Sequence, residues 1–396
     1  MNSTGTTFDD DFDPFEAFRT TYRDQCRRLG RFNLAVFGKT GAGKSSLVNA
    51  MFGSTVAETG IGRPVTLGTT YYEHPSGVFG MFDCVGFETG ESGDEILRSL
   101  KREIDKTRAL PLDEQMHVAW YVIRWSDRRF EDSQADFVRE LRGMGLPVVL
   151  VLSQVPLTAA GTVHPDAESL AEFIRDQVGD VIEGGYPVFT NAIADPHMGQ
   201  QPHGLFELLE CTFRAAPEGV RSALHAAQRI DLQRKRDDCM GIVAAGVMAA
   251  GAIGAVPIPF SDAALLIPAQ VTMMATISSR YALPVDPGTV ASLAGAAALA
   301  GFASMAGRLL ANIAKLIPGI GSVVGGAINA TIAGTLTAGI GLAWMAVCEH
   351  LVELTPAEIE SLLGDRSGLR KMFMDAFNAQ VRSGLKGIPG VSGLAA

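Results

Sequence analysis

The chain contains 396 residues, 47% of them hydrophobic, and carries a formal net charge of −10. This length predicts two or three domains, and the acidic balance argues against nucleic acid as a partner, because nucleic-acid-binding proteins present clustered basic surface. The five cysteines form no C-x-x-C pair and leave an odd one over, which argues for a reducing compartment and against a disulfide framework. Residues 1–13 lack the features of a secretory signal, so a cytoplasmic location is expected.

Residues 1–30 are predicted to form an acidic arm with one short helix, Phe15–Leu29. From residue 31 to 217, strand-like and helix-like stretches alternate, which predicts an α/β domain with a mostly parallel sheet. Six strands are predicted, over Phe32–Gly38, Thr69–His74, Val78–Asp83, His117–Trp125, Pro147–Ser153 and Tyr186–Thr190. The second and third are separated by only three residues, too few for a crossover helix, so they are expected to pair as an antiparallel hairpin.

The first predicted strand leads directly into the phosphate-binding pattern G-x-x-x-x-G-K-[ST]. The pattern and the helix-like residue after it comprise Gly38, Lys39, Thr40, Gly41, Ala42, Gly43, Lys44, Ser45 and Ser46. Glycines let successive backbone N–H groups converge on phosphate oxygens, and the helix that follows directs its positive end at the same anion. Lys44 is predicted to reach the β- and γ-phosphates, and the Ser45 hydroxyl to bind Mg²⁺. The pattern therefore predicts a nucleoside triphosphate site.

Two further segments are predicted to complete the metal and γ-phosphate contacts. Asp83-Cys84-Val85-Gly86 fits D-x-x-G at the end of a strand, so Asp83 is expected to hold the Mg²⁺ shell and the Gly86 N–H to contact the γ-phosphate. Thr66 is the predicted switch threonine, binding Mg²⁺ through its hydroxyl and the γ-phosphate through its N–H. Thr69 and Thr70 are interpreted instead as residues of the following strand.

The residues expected around the base depart from the usual GTPase pattern. The fifth strand ends in Ser153-Gln154-Val155-Pro156, where GTPases carry [NT]-K-x-D and the aspartate accepts hydrogen bonds from guanine N1–H and the exocyclic amine. Proline cannot accept such bonds, whereas Gln154 can stack its stem on the base. Asn191 and Ala192 follow the last strand, where a backbone N–H contacts guanine O6. Asp195 is either a replacement carboxylate or a surface residue, so the base preference stays open.

The group that orients the attacking water is also not given by the pattern. Phe87 follows Gly86, at the position where Ras-like enzymes carry a glutamine, and phenylalanine cannot orient water. Hydrolysis is therefore expected to be slow and to depend on a partner or a dimer. Glu88 is the adjacent candidate. The cluster Arg124, Arg128 and Arg129 is either a finger across a dimer interface or a solvated charged face.

The phosphate loop, Pro64-Val65-Thr66 and the 83–88 segment together resemble the septin-like and immunity-related GTPases of the Era-like group. The resemblance implies a P-loop GTPase-like fold, GTP or GDP with Mg²⁺ as ligands, and self-association of G domains as a homodimer. Potassium activation is not implied, because Gly41 stands where potassium-dependent members carry asparagine. Residues 254–262 and 316–330 resemble the uncharacterised helical domain found after GTPase domains and in YcjF-like membrane proteins.

The second half of the chain changes character after a charged stretch, residues 218–238, that is predicted to be one linker helix. Residues 239–350 are rich in alanine and glycine and contain uncharged runs over 240–261, 263–279, 287–307 and 316–348. Such runs are long enough to span a bilayer, and Arg234-Lys235-Arg236 fits a cytoplasmic anchor. The alternative is a soluble bundle packed through small residues. Asp262 is predicted to cap a helix, and residues 351–396 to form an amphipathic tail.

Three functions remain open. The first is a Mg²⁺-dependent GTPase whose switch segments control the helical half, either at the inner face of a membrane or in self-assembly. The second is a nucleotide-binding scaffold with little or no hydrolysis, for which Phe87 and Pro156 argue. The third is an ATP-using P-loop enzyme such as a kinase, which is disfavoured because no lid arginine pattern is present.

Overall fold

The computed structural model describes residues 13–53, 63–66, 69–84, 93–197, 199–254, 262–283, 325–364 and 366–382. The chain divides into two compact units. The first, here called the α/β unit, comprises Cys26–Leu232; the second, called the helical unit, comprises Gln233–Ala396 together with Met1–Gln25.

The α/β unit is built on one sheet of seven strands in the order β2-β3-β4-β1-β5-β6-β7. The strands are β1 Phe32–Phe37, β2 Arg63–Thr66, β3 Thr69–Glu73, β4 Phe79–Cys84, β5 Val118–Arg124, β6 Val148–Ser153 and β7 Val188–Phe189. Strand β1 lies at the centre and pairs in parallel with β4 and β5, while β3 pairs antiparallel with β4. The central strands are continuous apolar runs because both faces of the sheet are covered.

The predicted fold class, a mostly parallel α/β sheet with an antiparallel hairpin, is confirmed, with one strand more than the six predicted. The additional strand is β2, which lies in the segment predicted as a switch loop and pairs antiparallel with β3. Only two residues separate β2 from β3 in sequence, which is the spacing of a tight hairpin. Strand β7 is shorter than predicted, with two residues.

Helices flank this sheet and form most of the helical unit. They are α1 Pro14–Leu29, α2 Lys44–Phe52, α3 Gly93–Thr107, α4 Asp132–Gly143, α5 Pro165–Val178, α6 Leu205–Ala215, α7 Glu218–Ala227, α8 Leu232–Gly254, α9 Asp262–Tyr281, α10 Gly325–Glu353, α11 Pro356–Gly364 and α12 Arg366–Arg382. On one face of the sheet, the Phe52 ring stacks on Phe79 at 4.1 Å between centroids. On the other, Phe137 of α4 packs edge-on against Phe37. Both layers fix the strand ends that carry the site.

The prediction of one helix over residues 218–238 is wrong. Helix α7 ends at Ala227 and α8 begins at Leu232. The fully buried Gln228 closes the turn between them, because its Oε1 accepts from the N–H groups of Ile230 and Asp231 at 2.7 Å each. A buried side-chain amide that satisfies main-chain donors in this way competes with helix continuation.

In the helical unit, small residues let the helices approach closely. A Cβ atom added to Gly246 of α8 would lie 2.6 Å from Met273 Sδ of α9, and one on Gly339 of α10 would lie 2.5 Å from Phe377 of α12. Trp344 of α10 is fully buried and donates from Nε1 to Ser278 Oγ of α9 at 2.9 Å. Asp262 is the first residue of α9, and its side chain lies outside the described residues, so the capping prediction stays a prediction.

Within the described residues, one helix is long and apolar enough to cross a membrane. It covers Ala333–Glu353 in α10, with a mean hydropathy of 1.4 and 72% of its window buried inside the protein. A mostly covered window of this kind is also what the central helix of a bundle presents. The predicted run over 287–307 and the first part of 316–348 lie outside the described residues.

Candidate nucleotide-binding site

The loop between β1 and α2 can be built only with glycine at several positions. Gly38, Gly41 and Gly43 have φ values of 140°, 79° and 87°, in the region that L-residues with a side chain rarely adopt. At Gly38, a Cβ atom would also lie 2.3 Å from the Val122 carbonyl oxygen of β5. The spacing of glycines that defines the motif is therefore imposed by the backbone path and by contact with the neighbouring strand.

Lys44, the first residue of α2, folds back over this loop. Its Nζ donates to the Gly38 carbonyl oxygen at 2.8 Å and to the Lys39 carbonyl oxygen at 3.4 Å. The first turn of α2 contains no acidic residue, so the positive end of the helix dipole is not offset there. A lysine ammonium and a helix N-terminus at one glycine loop form a cradle for polyphosphate.

Parallel pairing brings Asp83 to the same edge of the sheet. Asp83 of β4 is in register with Val36 of β1, two residues before the loop. Burial raises the pKa of the Asp83 carboxyl, and the nearby Lys44 charge opposes that rise. The exposed Ser45 hydroxyl lies one residue beyond Lys44. Hydroxyl and carboxylate oxygens are hard donors of the kind Mg²⁺ prefers, so these residues fit the ion.

The described residues contain no group of three His, Cys, Asp or Glu that could hold a metal ion. On a nucleotide, Mg²⁺ usually takes one or two protein oxygens and completes its shell with phosphates and water. Ser45, Asp83 and Thr66 are the residues predicted to supply such oxygens.

The structure places Thr66 at the end of β2, paired with Thr69 of β3, and its side chain lies outside the described residues. Thr69 is buried and donates to Cys84 Sγ at 3.8 Å, which agrees with its interpretation as a strand residue. Burial raises the pKa of the Cys84 thiol to about 12. Gly86 and Glu88, predicted to act on the γ-phosphate side, also lie outside the described residues.

Ser153, the last residue of β6, and Gln154, which follows it, brace the phosphate loop. Ser153 Oγ donates to the Ala42 carbonyl oxygen at 2.5 Å, and Gln154 Nε2 donates to the Gly41 carbonyl oxygen at 3.1 Å. Gln154 adopts a positive φ of 58°. Sequence reasoning missed Ser153, although a polar residue that ends an apolar strand beside the loop was a usable signal.

The segment after β7 joins the segment after β6. Thr190 N–H donates to the Leu152 carbonyl oxygen at 2.8 Å, and Val155 N–H donates to the Thr190 carbonyl oxygen at 3.0 Å. Asn191, predicted to contact the base, turns its side chain into its own loop, where Nδ2 donates to the Ile193 carbonyl oxygen at 2.8 Å. Asp195 is exposed, and its carboxylate accepts from the His197 N–H at 2.9 Å.

A cavity of about 300 Å³ lies beside the phosphate loop and is lined in part by Lys39, Arg124 and Arg129. Arg124 pairs with Asp127 at 2.7 Å, and Arg128 pairs with Asp166 at 2.6 Å. Two of the three predicted finger arginines are thus held in local ion pairs. Arg129 is exposed and lines the cavity.

Two family models match separate parts of the chain. Residues 33–154 match the family described as 50S ribosome-binding GTPase. Residues 221–368 match a domain of unknown function, DUF697. No curated protein matches the chain.

Several solved structures are similar to the chain. Toc33 from Arabidopsis thaliana, in complex with GDP and Mg²⁺, is 16% identical, with 53% of this chain and 95% of that chain covered and a TM-score of 0.31. Era from Aquifex aeolicus, bound to GDP and AlF4⁻, is 16% identical, with 48% and 58% covered and a TM-score of 0.32. NFeoB from S. thermophilus, bound to GDP, is 9% identical, with 87% and 98% covered and a TM-score of 0.29.

The two family matches agree with the division seen in the sequence and with the glycine loop, lysine and aspartate assembled at one sheet edge. The predicted resemblance is therefore confirmed: the first part of the chain is similar to the 50S ribosome-binding GTPases, a P-loop GTPase family, and the second part to the DUF697 domain.

Proposed function

We propose that this protein binds GTP and GDP with Mg²⁺ and hydrolyses GTP to GDP and phosphate. The observation that carries the proposal is the loop of residues 38–43, whose glycines adopt left-handed φ values beside the Lys44 ammonium. Asp83 lies at the adjacent strand end, in a stretch that matches a GTPase family model.

Each site residue has a defined part in this reaction. The loop N–H groups and Lys44 bind the β- and γ-phosphates, and Ser45, Asp83 and Thr66 would hold Mg²⁺, which would neutralise charge on those phosphates. Water attacks the γ-phosphorus as its bond to the β–γ bridging oxygen breaks. The Gly86 N–H contacts the γ-phosphate, and Glu88 orients the water that Phe87 cannot.

Hydrolysis is proposed to be slow in the monomer and faster when two G domains associate. The support is chemical, because phenylalanine follows the D-x-x-G glycine, so no glutamine is available at the usual position. The exposed Arg129, which lines the cavity beside the loop, is the arginine best placed to serve a second copy.

The nucleotide state is proposed to control the helical unit at a membrane surface. Two observations support this part: the alanine- and glycine-rich runs after Cys239, and the apolar window over Ala333–Glu353. Contacts that differ between GTP and GDP would supply the free energy for such control.

A scaffold that binds nucleotide without turnover is the second candidate, favoured by Phe87. Single-turnover hydrolysis at increasing protein concentration separates the two. The rate is expected to rise with concentration for a self-activating GTPase and to stay at the uncatalysed level for a scaffold.

The first experiment measures displacement of a fluorescent GTP analogue from the full chain. Lys44→Ala is expected to weaken binding by about 100-fold or more, because it removes the cation from the phosphates. Lys106→Ala is the matched control, since that ammonium is 73% exposed on α3. Equal binding by Lys44→Ala and wild type would overturn the nucleotide-site proposal.

A further inference from the structure

The segments after β6 and β7 form one continuous wall beside the phosphate loop. Val155 N–H and Thr190 N–H hold the two segments together through the bonds described above, and His203 Nε2 lies 2.8 Å from the Val155 carbonyl oxygen. Gln200 adds two more bonds, donating to and accepting from the main chain of Leu157 at 3.1 and 2.8 Å. Since Ser153 and Gln154 in the same wall contact the phosphate loop, the wall is where a nucleotide's base would lie.

This wall lacks the carboxylate that would read the guanine N1–H and 2-amino group. Pro156 occupies the position of that carboxylate and is half-buried. The Asp195 carboxylate is engaged by the His197 N–H, and the Asn191 amide donates to two carbonyl oxygens of its own loop, at 2.8 and 3.2 Å. Both of these side chains therefore make hydrogen bonds within their own loop.

Three groups of the wall stay available to a base. None of the hydrogen bonds among the described residues uses the N–H of Ala192. Ile193, the next residue, is 61% exposed, and Gln154, whose Nε2 donates to the Gly41 carbonyl oxygen, is exposed as well. An N–H donor, an exposed aliphatic side chain and an amide stem can read an oxygen at C6 and cover a purine ring face.

We infer that the base subsite accepts 6-oxopurines as a class, including guanine, hypoxanthine and xanthine, and excludes adenine. An N–H opposite the 6-oxo oxygen forms a hydrogen bond, whereas the same N–H opposite the adenine 6-amino group sets donor against donor. Substituents at C2 meet no carboxylate, so they neither add nor remove a hydrogen bond. The inference rests on the proposed function, because it describes the base end of the same nucleotide site.

The test is competition by GTP, ITP, XTP and ATP against the fluorescent GTP analogue on the full chain. GTP, ITP and XTP are expected to compete within about threefold of one another, and ATP to be at least about tenfold weaker, the size of one lost hydrogen bond. ITP at least tenfold weaker than GTP would overturn the inference while leaving GTP binding intact. ATP equal to GTP would overturn it as well. Absence of binding by every nucleotide would overturn the proposed function itself.

Two substitutions at Pro156 test whether this position faces the C2 substituent of the base. Pro156→Asp is expected to create discrimination of about tenfold for GTP over ITP, because a carboxylate pairs with the 2-amino group that ITP lacks. It should also weaken XTP, whose 2-oxo group repels the carboxylate. Pro156→Ala, which removes the ring without adding a carboxylate, should leave GTP and ITP equal. Thermal unfolding of both variants checks folding, and equal GTP and ITP affinity in a folded Pro156→Asp would overturn the assignment of this position.

Discussion

The two units differ in where the polar side chains described above stand. In the α/β unit the central strands are mostly apolar, and polar residues of the candidate site stand at or near strand ends, as Asp83 and Ser153 do. In the helical unit the polar groups lie between helices, where Gln270 donates to Thr337 Oγ1 at 3.0 Å and Trp344 donates to Ser278. Asp83, near its strand end, is only partly buried, whereas the polar pairs of the helical unit join one helix to another inside that unit.

Two lysines, one in each unit, illustrate the difference. Lys44 in the α/β unit lies over a loop whose shape fits phosphate. Lys235 in the helical unit is fully buried, donates to the Arg280 carbonyl oxygen at 3.0 Å and lies 5.6 Å from the centre of the Tyr281 ring. Where helices are lined by alanine and glycine, hydrophobic area is small per residue, so buried polar contacts help to fix the register.

The largest effect on the free energy of unfolding is expected from a substitution that disrupts the packing of the helical unit. Trp344→Ala should lower the free energy of unfolding by about 4 kcal/mol, because it opens a cavity at a fully buried position. Trp344→Phe should cost less, since it keeps most of the volume and loses the bond to Ser278. Chemical denaturation monitored by circular dichroism measures both. Similar values for the two variants would show that the hydrogen bond outweighs the volume.

The second largest effect on the free energy of unfolding is expected from a substitution that distorts the phosphate loop. Gly38→Ala should lower the free energy of unfolding by about 3 kcal/mol, because a Cβ atom would lie 2.3 Å from the Val122 carbonyl oxygen at an unfavourable φ. Nucleotide binding should be lost with it. Gly143→Ala is the matched control, since nothing lies within 4 Å of its added Cβ. Retained nucleotide affinity in Gly38→Ala would contradict the loop's role.

In the α/β unit, the buried His117 is expected to make the free energy of unfolding depend on pH. Its Nδ1 accepts from the Asn33 N–H at 2.8 Å, its Nε2 lies 2.7 Å from the Leu112 carbonyl oxygen, and burial lowers its pKa. The unfolded chain binds a proton more readily, so this contribution to stability is present above pH 6.5 and declines below it. The slope is at most about 1.4 kcal/mol per pH unit.

Urea denaturation of wild type and His117→Gln between pH 7.5 and 5 measures this contribution. The wild type should lose more stability on acidification than the variant, which carries no group titrating in that range at this position. A variant with the same pH dependence as wild type would remove His117 as the cause.

The smallest effect concerns the brace on the phosphate loop. Ser153→Ala should weaken GTP binding by about fivefold, the value of one hydrogen bond of about 1 kcal/mol, because the Ala42 carbonyl loses its donor. Ser169→Ala is the control, as that hydroxyl is exposed and bonds within its own helix. Affinity equal to wild type in both variants would show that the brace does not position the loop.

Local patterns in the sequence are enough to predict several parts of this protein. Apolar runs fixed the central strands, and the glycine spacing fixed the loop, because only glycine adopts the backbone angles found at Gly38, Gly41 and Gly43. The change from charged to uncharged composition near Cys239 marked the helical half. These signals lie within a few residues of the features that they specify.

Other features depend on hydrogen bonds and packing that the local sequence does not specify. Ser153 contacts a loop 111 residues away in sequence, and Asn191 and Asp195 take their roles from the loop closed by His203 and Gln200. The break at Gln228 and the pairing of β2 likewise depend on buried or cross-strand hydrogen bonds. A polar side chain has several partners within reach, and packing between distant segments selects among them.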